Sequence, residues 1–214
     1  MNTNELESVQ SVKSVANFPT FEQWIGIVPK PGDLAHYRRR NFYDYYKIKF
    51  EIALGARPSA ICEIGVRWGY SAFSFLSAAP AAAYTGFDIV EGTHGGVRGT
   101  DTFAYVRDFL EKHFPQARIE LRHADTRLLT ELPCGPFDFV HVDGDHSEAG
   151  CAHDLCLAMD ALEPGGTILV DDYHYIAGVQ RAADVFCDDR AADIAEKIVR
   201  DSLRGELLIV KGEK

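Results

Sequence analysis

The chain has 214 residues, 46% of them hydrophobic and 25% charged, with five cysteines and a formal net charge of -10. This composition is typical of a globular protein and excludes disorder along the whole chain, and the length suits one α/β domain better than two. The negative charge disfavours nucleic acid and anionic membranes as partners and favours a small molecule.

Residues 1–17 are polar and are predicted to form a flexible tail. They lack the basic start and apolar stretch of a secretory signal, and the cysteines include no CxxC pair, so we expect a cytoplasmic protein. No run approaches the ~20 apolar residues that a membrane span needs. Asp33 is a plausible N-cap for an amphipathic helix over about residues 33–54, where Tyr37, Tyr45 and Ile52 recur at helical spacing. Exposed aromatic residues on this helical extension suggest a homodimer.

After residue 59, short apolar runs alternate with helical stretches. The predicted strands are AICEIGV, AYTGFDIV, ARIELRHAD, FDFVHVD and GGTILVDD, followed by AEKIVRDS and GELLIVKG. Strands that alternate with helices form βαβ units, and these build a parallel sheet that is covered on both faces. The last two segments are predicted as an antiparallel pair. We therefore predict an α/β fold for a single domain over residues 18–214: a Rossmann-like, doubly wound, mostly parallel seven-stranded sheet with an antiparallel C-terminal strand pair.

The first predicted strand runs into a glycine turn, EIGVRWGYS. Because glycine has no Cβ, Gly65 and Gly69 let backbone N–H groups approach a ligand closely. Glu63 suits a ligand with amine donors or positive charge. Asp88 ends the second strand 23 residues after Gly65, where a carboxylate accepts both hydroxyls of a ribose. Asp125 follows the third strand, where an adenine amino group can donate to it.

A second acidic group follows strands four and five. Asp143 ends FDFVHVD, and Asp171 and Asp172 end GGTILVDD. If these strands are neighbours, about 5 Å apart, the three carboxylates face one another and need a neutralising partner. A divalent metal, most simply magnesium, would supply it. His146 is the predicted general base, since an imidazole pKa near about 6.5 suits proton removal at neutral pH, and Asp145 is the competing base.

Five segments in register resemble the successive motifs of class I S-adenosylmethionine-dependent methyltransferases: EIGVRWGYS, GFDIV, HADT, FDFVHVDGDH and LEPGGTILVDD. Within that class they are most similar to the metal-dependent O-methyltransferases. The resemblance runs from about Ala60 to Tyr173, and it implies methylation of a hydroxyl on a small molecule. It also implies roles for the site residues: Glu63, Gly65 and Gly69 at the methionine part of S-adenosylmethionine, Asp88 at the ribose, Asp125 at the adenine, Asp143 at both cofactor and metal, and Asp171 and Asp172 at the metal.

Three other functions stay open at the level of sequence. An NAD-dependent oxidoreductase would use the same sheet, although the glycine turn lacks the GxGxxG pattern. A metal-dependent hydrolase would use the acidic cluster alone, which leaves Asp88 and the glycine turn unexplained. A binding-only relative would keep the cofactor pocket without catalysis. Tyr37, Trp68, Tyr173 and Tyr175 are candidates for an aromatic wall around the acceptor, although packing is the commoner role of such residues.

Overall fold

The fold is a seven-stranded sheet with helices on both faces, seen in a computed structural model that describes residues 16–28, 32–89 and 102–213. The strands are β1 (Ala60–Ile64), β2 (Ala83–Asp88), β3 (Arg118–His123), β4 (Phe137–Val142), β5 (Leu162–Val170), β6 (Ile194–Arg200) and β7 (Glu206–Lys211). The α-helices are α1 (Phe21–Ile27), α2 (Arg40–Ala56), α3 (Tyr70–Ala78), α4 (Phe103–His113), α5 (Glu148–Ala161) and α6 (Ala177–Asp189). Short 3₁₀ helices lie at Gly32–Arg38, Thr126–Leu128 and Ala191–Asp193.

The strands lie in the order β3-β2-β1-β4-β5-β7-β6. Strands β1 to β5 pair in parallel, and β7 runs antiparallel to both β5 and β6. The predicted mostly parallel sheet with an antiparallel C-terminal pair is therefore confirmed. The strand order reverses between β1 and β4, and open α/β sheets bind ligands at the carboxyl ends of the strands beside such a switch point.

Each face of the sheet has its own core. On β4, Phe139 packs with the aromatic residues of α2 and α3, whereas Val140 and Val142 pack with α5 and α6. This alternation follows from the two-residue period of a strand. Glu63 and His141 are fully buried polar residues on neighbouring strands, paired with each other in the register of β1 and β4. They lie on the face covered by α2 and contribute to the site described below.

The N-terminal region differs from its prediction. The single helix predicted over residues 33–54 is divided into a 3₁₀ helix, which contains Asp33, and α2, whose N-cap is Arg39. Helix α1 has no counterpart in the sequence prediction; Thr20 and Gln23 begin it with a reciprocal capping box. Residues 1–15 of the predicted tail lie outside the described residues. None of the helices in the described ranges is both long enough and apolar enough to span a membrane.

The aromatic residues of α2 are buried in the core. Tyr43, Tyr45 and Tyr46 are each less than a tenth exposed. Tyr43 and Tyr46 pack with Trp24 of α1, Tyr46 also packs with Tyr70 of α3, and Tyr45 packs with Tyr46. The sequence-based reason for expecting a homodimer was the exposure of such residues. That reason does not hold in the structure.

The segments after β1 and β4 contact each other at the switch point. Gly65 has a φ angle of +94°, and a Cβ atom built on it would lie 1.9 Å from the carbonyl oxygen of Asp143. The N–H of Gly65 donates to the carbonyl oxygen of Phe87 at 2.8 Å, and that of Asp143 donates to the carbonyl oxygen of Ile64 at 2.9 Å. Only glycine permits this approach, which brings the ends of three strands together.

Replacing Gly65 by alanine should lower the free energy of unfolding by ~3 kcal/mol or more, because the added methyl group overlaps backbone atoms and the positive φ strains an L residue. Gly55→Ala is the matched control. No atom lies within 4 Å of a Cβ built on Gly55, and alanine in this last turn of α2 should raise the free energy of unfolding by up to ~1 kcal/mol. Urea unfolding followed by circular dichroism measures both. Unchanged stability of Gly65→Ala would contradict the contact.

Candidate functional site

A pocket opens at the carboxyl ends of β1 to β4, beside the switch point. The space inside it, including the part open to solvent, is about 810 Å³. Successive strand ends line it: Ile64 and Gly65 from β1, Phe87–Ile89 from β2, Ala124–Arg127 from β3 and Asp143–His146 from β4, together with Arg67 and Arg204. The predicted convergence of strand ends on one crevice is therefore present.

Two of the predicted cofactor carboxylates, Asp88 and Asp125, line this pocket. The Asp88 carboxylate accepts the backbone N–H groups of Arg67 at 2.6 Å and Ile89 at 2.7 Å. Burial raises the pKa of Asp88, while these hydrogen bonds oppose the shift. The Asp125 carboxylate accepts the backbone N–H of Arg127 at 3.1 Å and forms a bidentate ion pair with its guanidinium, at 2.9 and 2.7 Å. Both side chains are thus held in place at the pocket wall.

Of the three residues predicted at the methionine part of the cofactor, Gly65 lines the pocket, and Glu63 and Gly69 lie behind its wall. The buried Glu63 carboxylate lies 2.9 Å from Nδ1 of His141 and accepts a hydrogen bond from the Tyr84 hydroxyl. Gly69 is the N-cap of α3 with a φ angle of +73°, and a Cβ built on it would lie 2.9 Å from a side chain of α4. The contacts of Glu63 and Gly69 are therefore with the protein interior.

Asp171, at the end of β5, is bound by two side chains of α2. Nζ of the fully buried Lys49 lies 3.0 Å from Oδ1 of Asp171, and the Tyr45 hydroxyl donates to Oδ2. Both carboxylate oxygens are therefore occupied by the protein, and Asp171 is 2% exposed. Burial opposes both charges, but the attraction between the groups outweighs it: the pKa of Lys49 is raised and the pKa of Asp171 is held well below its usual range. The pair is ionised.

Lys49 continues the buried contacts into the sheet. Its Nζ lies 3.4 Å from Nε2 of His141 on β4 and 3.7 Å from Oε1 of Glu206 on β7. Burial and the Lys49 charge hold the pKa of His141 well below its usual value, so the imidazole is neutral. Given these two partners, Nε2 of His141 accepts a hydrogen bond from Lys49, and its Nδ1–H donates one to Glu63. The result is a buried polar chain from β2 to β5: Tyr84, Glu63, His141, Lys49 and Asp171.

Asp172 is paired with an arginine from the segment between β6 and β7. Nη1 of Arg204 lies 3.1 Å from Oδ1 and 3.3 Å from Oδ2 of Asp172. The guanidinium also lies over the rings of Tyr175, Tyr45 and Phe42, with 5.2, 5.7 and 5.9 Å to the ring centroids. Such cation–π contacts hold the charged group at a fixed place beside the carboxylate. Asp172 itself has a φ angle of +57°, a left-handed conformation that is uncommon for aspartate.

Asp143 and His146 form the part of the cluster that lines the pocket. Nε2 of His146 lies 3.1 Å from Oδ1 of Asp143 and 3.6 Å from Oδ2 of Asp172. Burial, together with the charges of Asp171 and Asp172, raises the pKa of Asp143 to about 7. The hydrogen bond with Asp143 raises the pKa of His146. The two side chains therefore form an imidazole–carboxylate pair at the pocket wall.

Asp145, the other predicted base, also lines the pocket. Its Oδ1 accepts the N–H of Ser147 at 2.8 Å, and Ser147 in turn caps α5 by accepting the N–H of Gly150 at 3.1 Å. Asp145 thus orders the turn that leads into α5. This turn also sets the position of His146 beside Asp143.

The predicted metal ligands lie close together at the carboxyl ends of β4 and β5. Among the residues that the structure describes, two groups bring possible ligand atoms within 4.8 Å of one another: His141, Asp143 and Asp171, and Asp143, His146 and Asp172. A magnesium ion bound ~2.1 Å from Oδ1 of Asp171 would have to share that oxygen with the fully buried Lys49 ammonium, which already lies 3.0 Å from it. The second group already holds the Arg204 guanidinium. Asp143, Asp171 and Asp172, as arranged, do not fit the predicted divalent ion.

A second pocket, with an open volume of about 410 Å³, adjoins the first. The two pockets share Gly65, Arg67, Asp143 and Arg204. The remaining walls of the second are mostly aromatic: Tyr37, Phe42, Tyr45, Tyr46, Trp68 and Tyr70, with Val66 and Ser71. Tyr37 and Trp68 therefore belong to the aromatic wall considered from the sequence. Tyr173 does not, since its hydroxyl donates to Asp184 at 2.7 Å, and Tyr175 is 67% exposed above Arg204.

Three residues of the site had no predicted role in it: Lys49, Tyr45 and Arg204. A signal for the lysine was present, because Lys49 follows Tyr45 by four residues and precedes Ile52 by three, which places all three on one stripe of α2. A lysine on a buried stripe requires a buried acidic partner. No comparable pattern marks Arg204.

Comparison with known proteins gives a family and a set of similar folds. Residues 62–173, just over half of the chain, match the family described as "Methyltransferase domain". No curated protein matches the sequence. Similar solved structures include the SAH-bound methyltransferase PaMTH1 of Podospora anserina, with 18% identity over 93% of this chain and 91% of that one and a TM-score of 0.65.

Two O-methyltransferases are similar in structure as well. TomG of Streptomyces achromogenes, which is involved in tomaymycin synthesis and was solved in complex with SAM, has 19% identity over 91% of this chain and 100% of its own, with a TM-score of 0.59. The O-methyltransferase of Bacillus cereus, in complex with SAH, has 15% identity over 90% and 100%, with a TM-score of 0.57. At these identities the likeness establishes the fold.

Proposed function

We propose that this chain, which belongs to the methyltransferase-domain family, transfers the methyl group of S-adenosylmethionine to a hydroxyl group of a small molecule. The observation that carries the proposal is the junction of two pockets at Asp143, one lined by strand-end carboxylates and the other by aromatic rings. SAM or SAH in the similar structures of TomG, PaMTH1 and the Bacillus cereus enzyme supports the cofactor. Membership of the family sets the oxidoreductase and hydrolase alternatives aside.

The first pocket has the chemistry that this cofactor needs. Asp88 presents a carboxylate to the two hydroxyls of the ribose. Phe87, Ile89 and Ala124 supply apolar surface for the adenine ring, and Asp125 at the same wall accepts from its amino group. Gly65, together with Gly144 after β4, leaves room beside Asp143 for the methionine part.

The second pocket would hold the acceptor. Its walls combine aromatic rings with polar groups, among them Arg67 and Arg204, and so suit a small molecule with a planar body and polar substituents. Because the pockets join at Gly65 and Asp143, an acceptor placed there lies beside the cofactor's methyl group. Positioning of this kind supplies much of the rate of an in-line displacement.

His146 is the proposed general base. S-adenosylmethionine supplies an electrophilic methyl group bound to positively charged sulfur. Asp143 accepts the Nε2–H of His146 and thereby selects the tautomer whose Nδ1 can take the proton of the acceptor hydroxyl. The charge of Asp143 then stabilises the imidazolium that forms. A divalent metal stays a prediction of the sequence, and the reaction is derived without it because Asp171 and Asp172 are already paired with Lys49 and Arg204.

Asp88→Asn should weaken the binding of S-adenosylmethionine at least about tenfold, because an amide cannot accept from both ribose hydroxyls. Asp138→Asn is the matched control. Asp138 also accepts backbone N–H groups, those of Ser59 at 2.8 Å and Ala60 at 3.0 Å, but lies at the opposite end of β4. Isothermal titration calorimetry should show nearly unchanged affinity for Asp138→Asn. Equal affinity of Asp88→Asn and the natural protein for S-adenosylmethionine would show that Asp88 does not bind the ribose.

Methyl transfer itself is tested by incubating the protein with S-adenosylmethionine and a panel of phenols, sugars and other hydroxylated small molecules, with release of S-adenosylhomocysteine as the readout. For an accepted substrate, His146→Asn should lower kcat by about 10²–10⁴-fold, the usual contribution of a general base. Asp145→Asn should keep kcat within about tenfold of the natural protein.

Greater loss in Asp145→Asn than in His146→Asn would transfer the role of base to Asp145. Binding of S-adenosylmethionine without turnover of any hydroxyl would instead support the binding-only alternative. Cofactor affinity measured in parallel separates a loss of chemistry from a loss of binding.

A further inference from the structure

We infer that the ammonium of Lys49 and the guanidinium of Arg204 take the place of the divalent cation that the acidic cluster suggests, so that this site works without a metal ion. The part of this inference that concerns the reaction rests on the proposed methyl transfer. The part that concerns metal binding rests on the geometry of the cluster alone.

Charge balance is the first argument. Each of the three carboxylates has its own nitrogen partner: Lys49 lies 3.0 Å from Asp171, Arg204 lies 3.1 Å from Asp172, and His146 lies 3.1 Å from Asp143. The mutual repulsion that makes such a cluster recruit a hard cation is therefore relieved by the chain itself. An added divalent ion would meet two fixed positive charges at the same place.

Displacing Lys49 from Asp171 would cost a large amount of free energy. Its side chain is fully buried, with Nζ 4.5 Å from the centre of the Tyr45 ring as well as 3.4 Å from His141. Moving the ammonium aside would strip a buried charge of its partners, which is far more costly than rearranging an exposed lysine. Arg204 is held in turn by three aromatic rings. Both cations are permanent parts of the site.

The carboxylates and the cations come from different parts of the chain. All three carboxylates lie within residues 62–173, the segment that matches the methyltransferase family. Lys49 precedes that segment on α2, and Arg204 follows it between β6 and β7. The family segment thus contributes the acids, and the flanking elements contribute the cations. This division explains how the repulsion within an acidic cluster that suggests a metal site is reduced without a metal.

Manganese titrations test the inference directly. The natural protein, treated with EDTA and then desalted, should bind Mn²⁺ no more tightly than millimolar, as followed by electron paramagnetic resonance or calorimetry. Methylation of an accepted hydroxyl in excess EDTA should stay within about twofold of the rate in magnesium. Stoichiometric micromolar binding that Asp143→Asn abolishes, or a rate lost in EDTA and restored by magnesium, would overturn the inference.

Removing either cation should create the metal site. Lys49→Met and Arg204→Gln should each gain at least about tenfold in Mn²⁺ affinity and show a Tm that rises with Mn²⁺. Lys47→Met is the matched control, because Lys47 is an exposed residue of α2 that pairs with Glu51, and its loss should leave Mn²⁺ affinity unchanged. If Lys49→Met does not fold, the Mn²⁺ affinity of Arg204→Gln decides whether a cation of the chain excludes the metal, since this variant leaves α2 intact.

Failure of the folded variants to gain Mn²⁺ affinity would contradict the inference, because these residues would then not be what keeps a divalent ion out of the cluster. The two proposals fail separately. If no hydroxyl is methylated by any preparation, the proposed function is lost, while the Mn²⁺ titrations still decide whether the chain replaces the metal.

Discussion

The buried ion pair between Lys49 and Asp171 is the contact on which the rest of the site depends. It joins the helix that precedes the sheet to the carboxyl end of β5, where both groups are excluded from water. Removing one partner of such a pair typically costs about 3–5 kcal/mol, because the other is left as a buried unpaired charge. The pair thereby ties α2 to the edge of the sheet, and with α2 it fixes Tyr45 and the aromatic wall of the second pocket.

Parallel strands explain why so many functional groups meet at this edge. Asp88, Asp125, Asp143 and Asp171 each follow a different strand, and because these strands run in one direction, their carboxyl ends lie together. The close approach of Gly65 to the backbone of Asp143 then brings the ends of β1 and β4 together at the place where the two pockets meet. The two pockets thus have a common boundary at Asp143, which no single motif of the sequence provides.

The segment that matches the methyltransferase family and the elements that flank it contribute different parts of the site. The family segment, residues 62–173, contains β2 to β5 and most of β1, the strand-end carboxylates and the imidazole–carboxylate pair of His146 and Asp143. The elements outside it, α2 and the β6–β7 segment, supply the cations, and α2 supplies much of the aromatic wall. The family match therefore concerns the segment with the parallel strands and the acids, whereas the cations and much of the aromatic wall belong to the elements around it.

The sequence by itself determined the strands, their direction and the acids at their ends, because a strand's two-residue period and the acidic residue after it are local features. It also identified Asp88, Asp125, Asp143 and His146 as residues of one crevice. The tertiary structure alone decided that Glu63 faces His141 and not the pocket, and that Lys49 and Tyr45 bind Asp171. Tyr45 and Asp171 are 126 residues apart, so no local pattern connects them. Their contact arises only because α2 packs on the sheet, and it gives a carboxylate that the sequence assigned to a metal a side-chain partner.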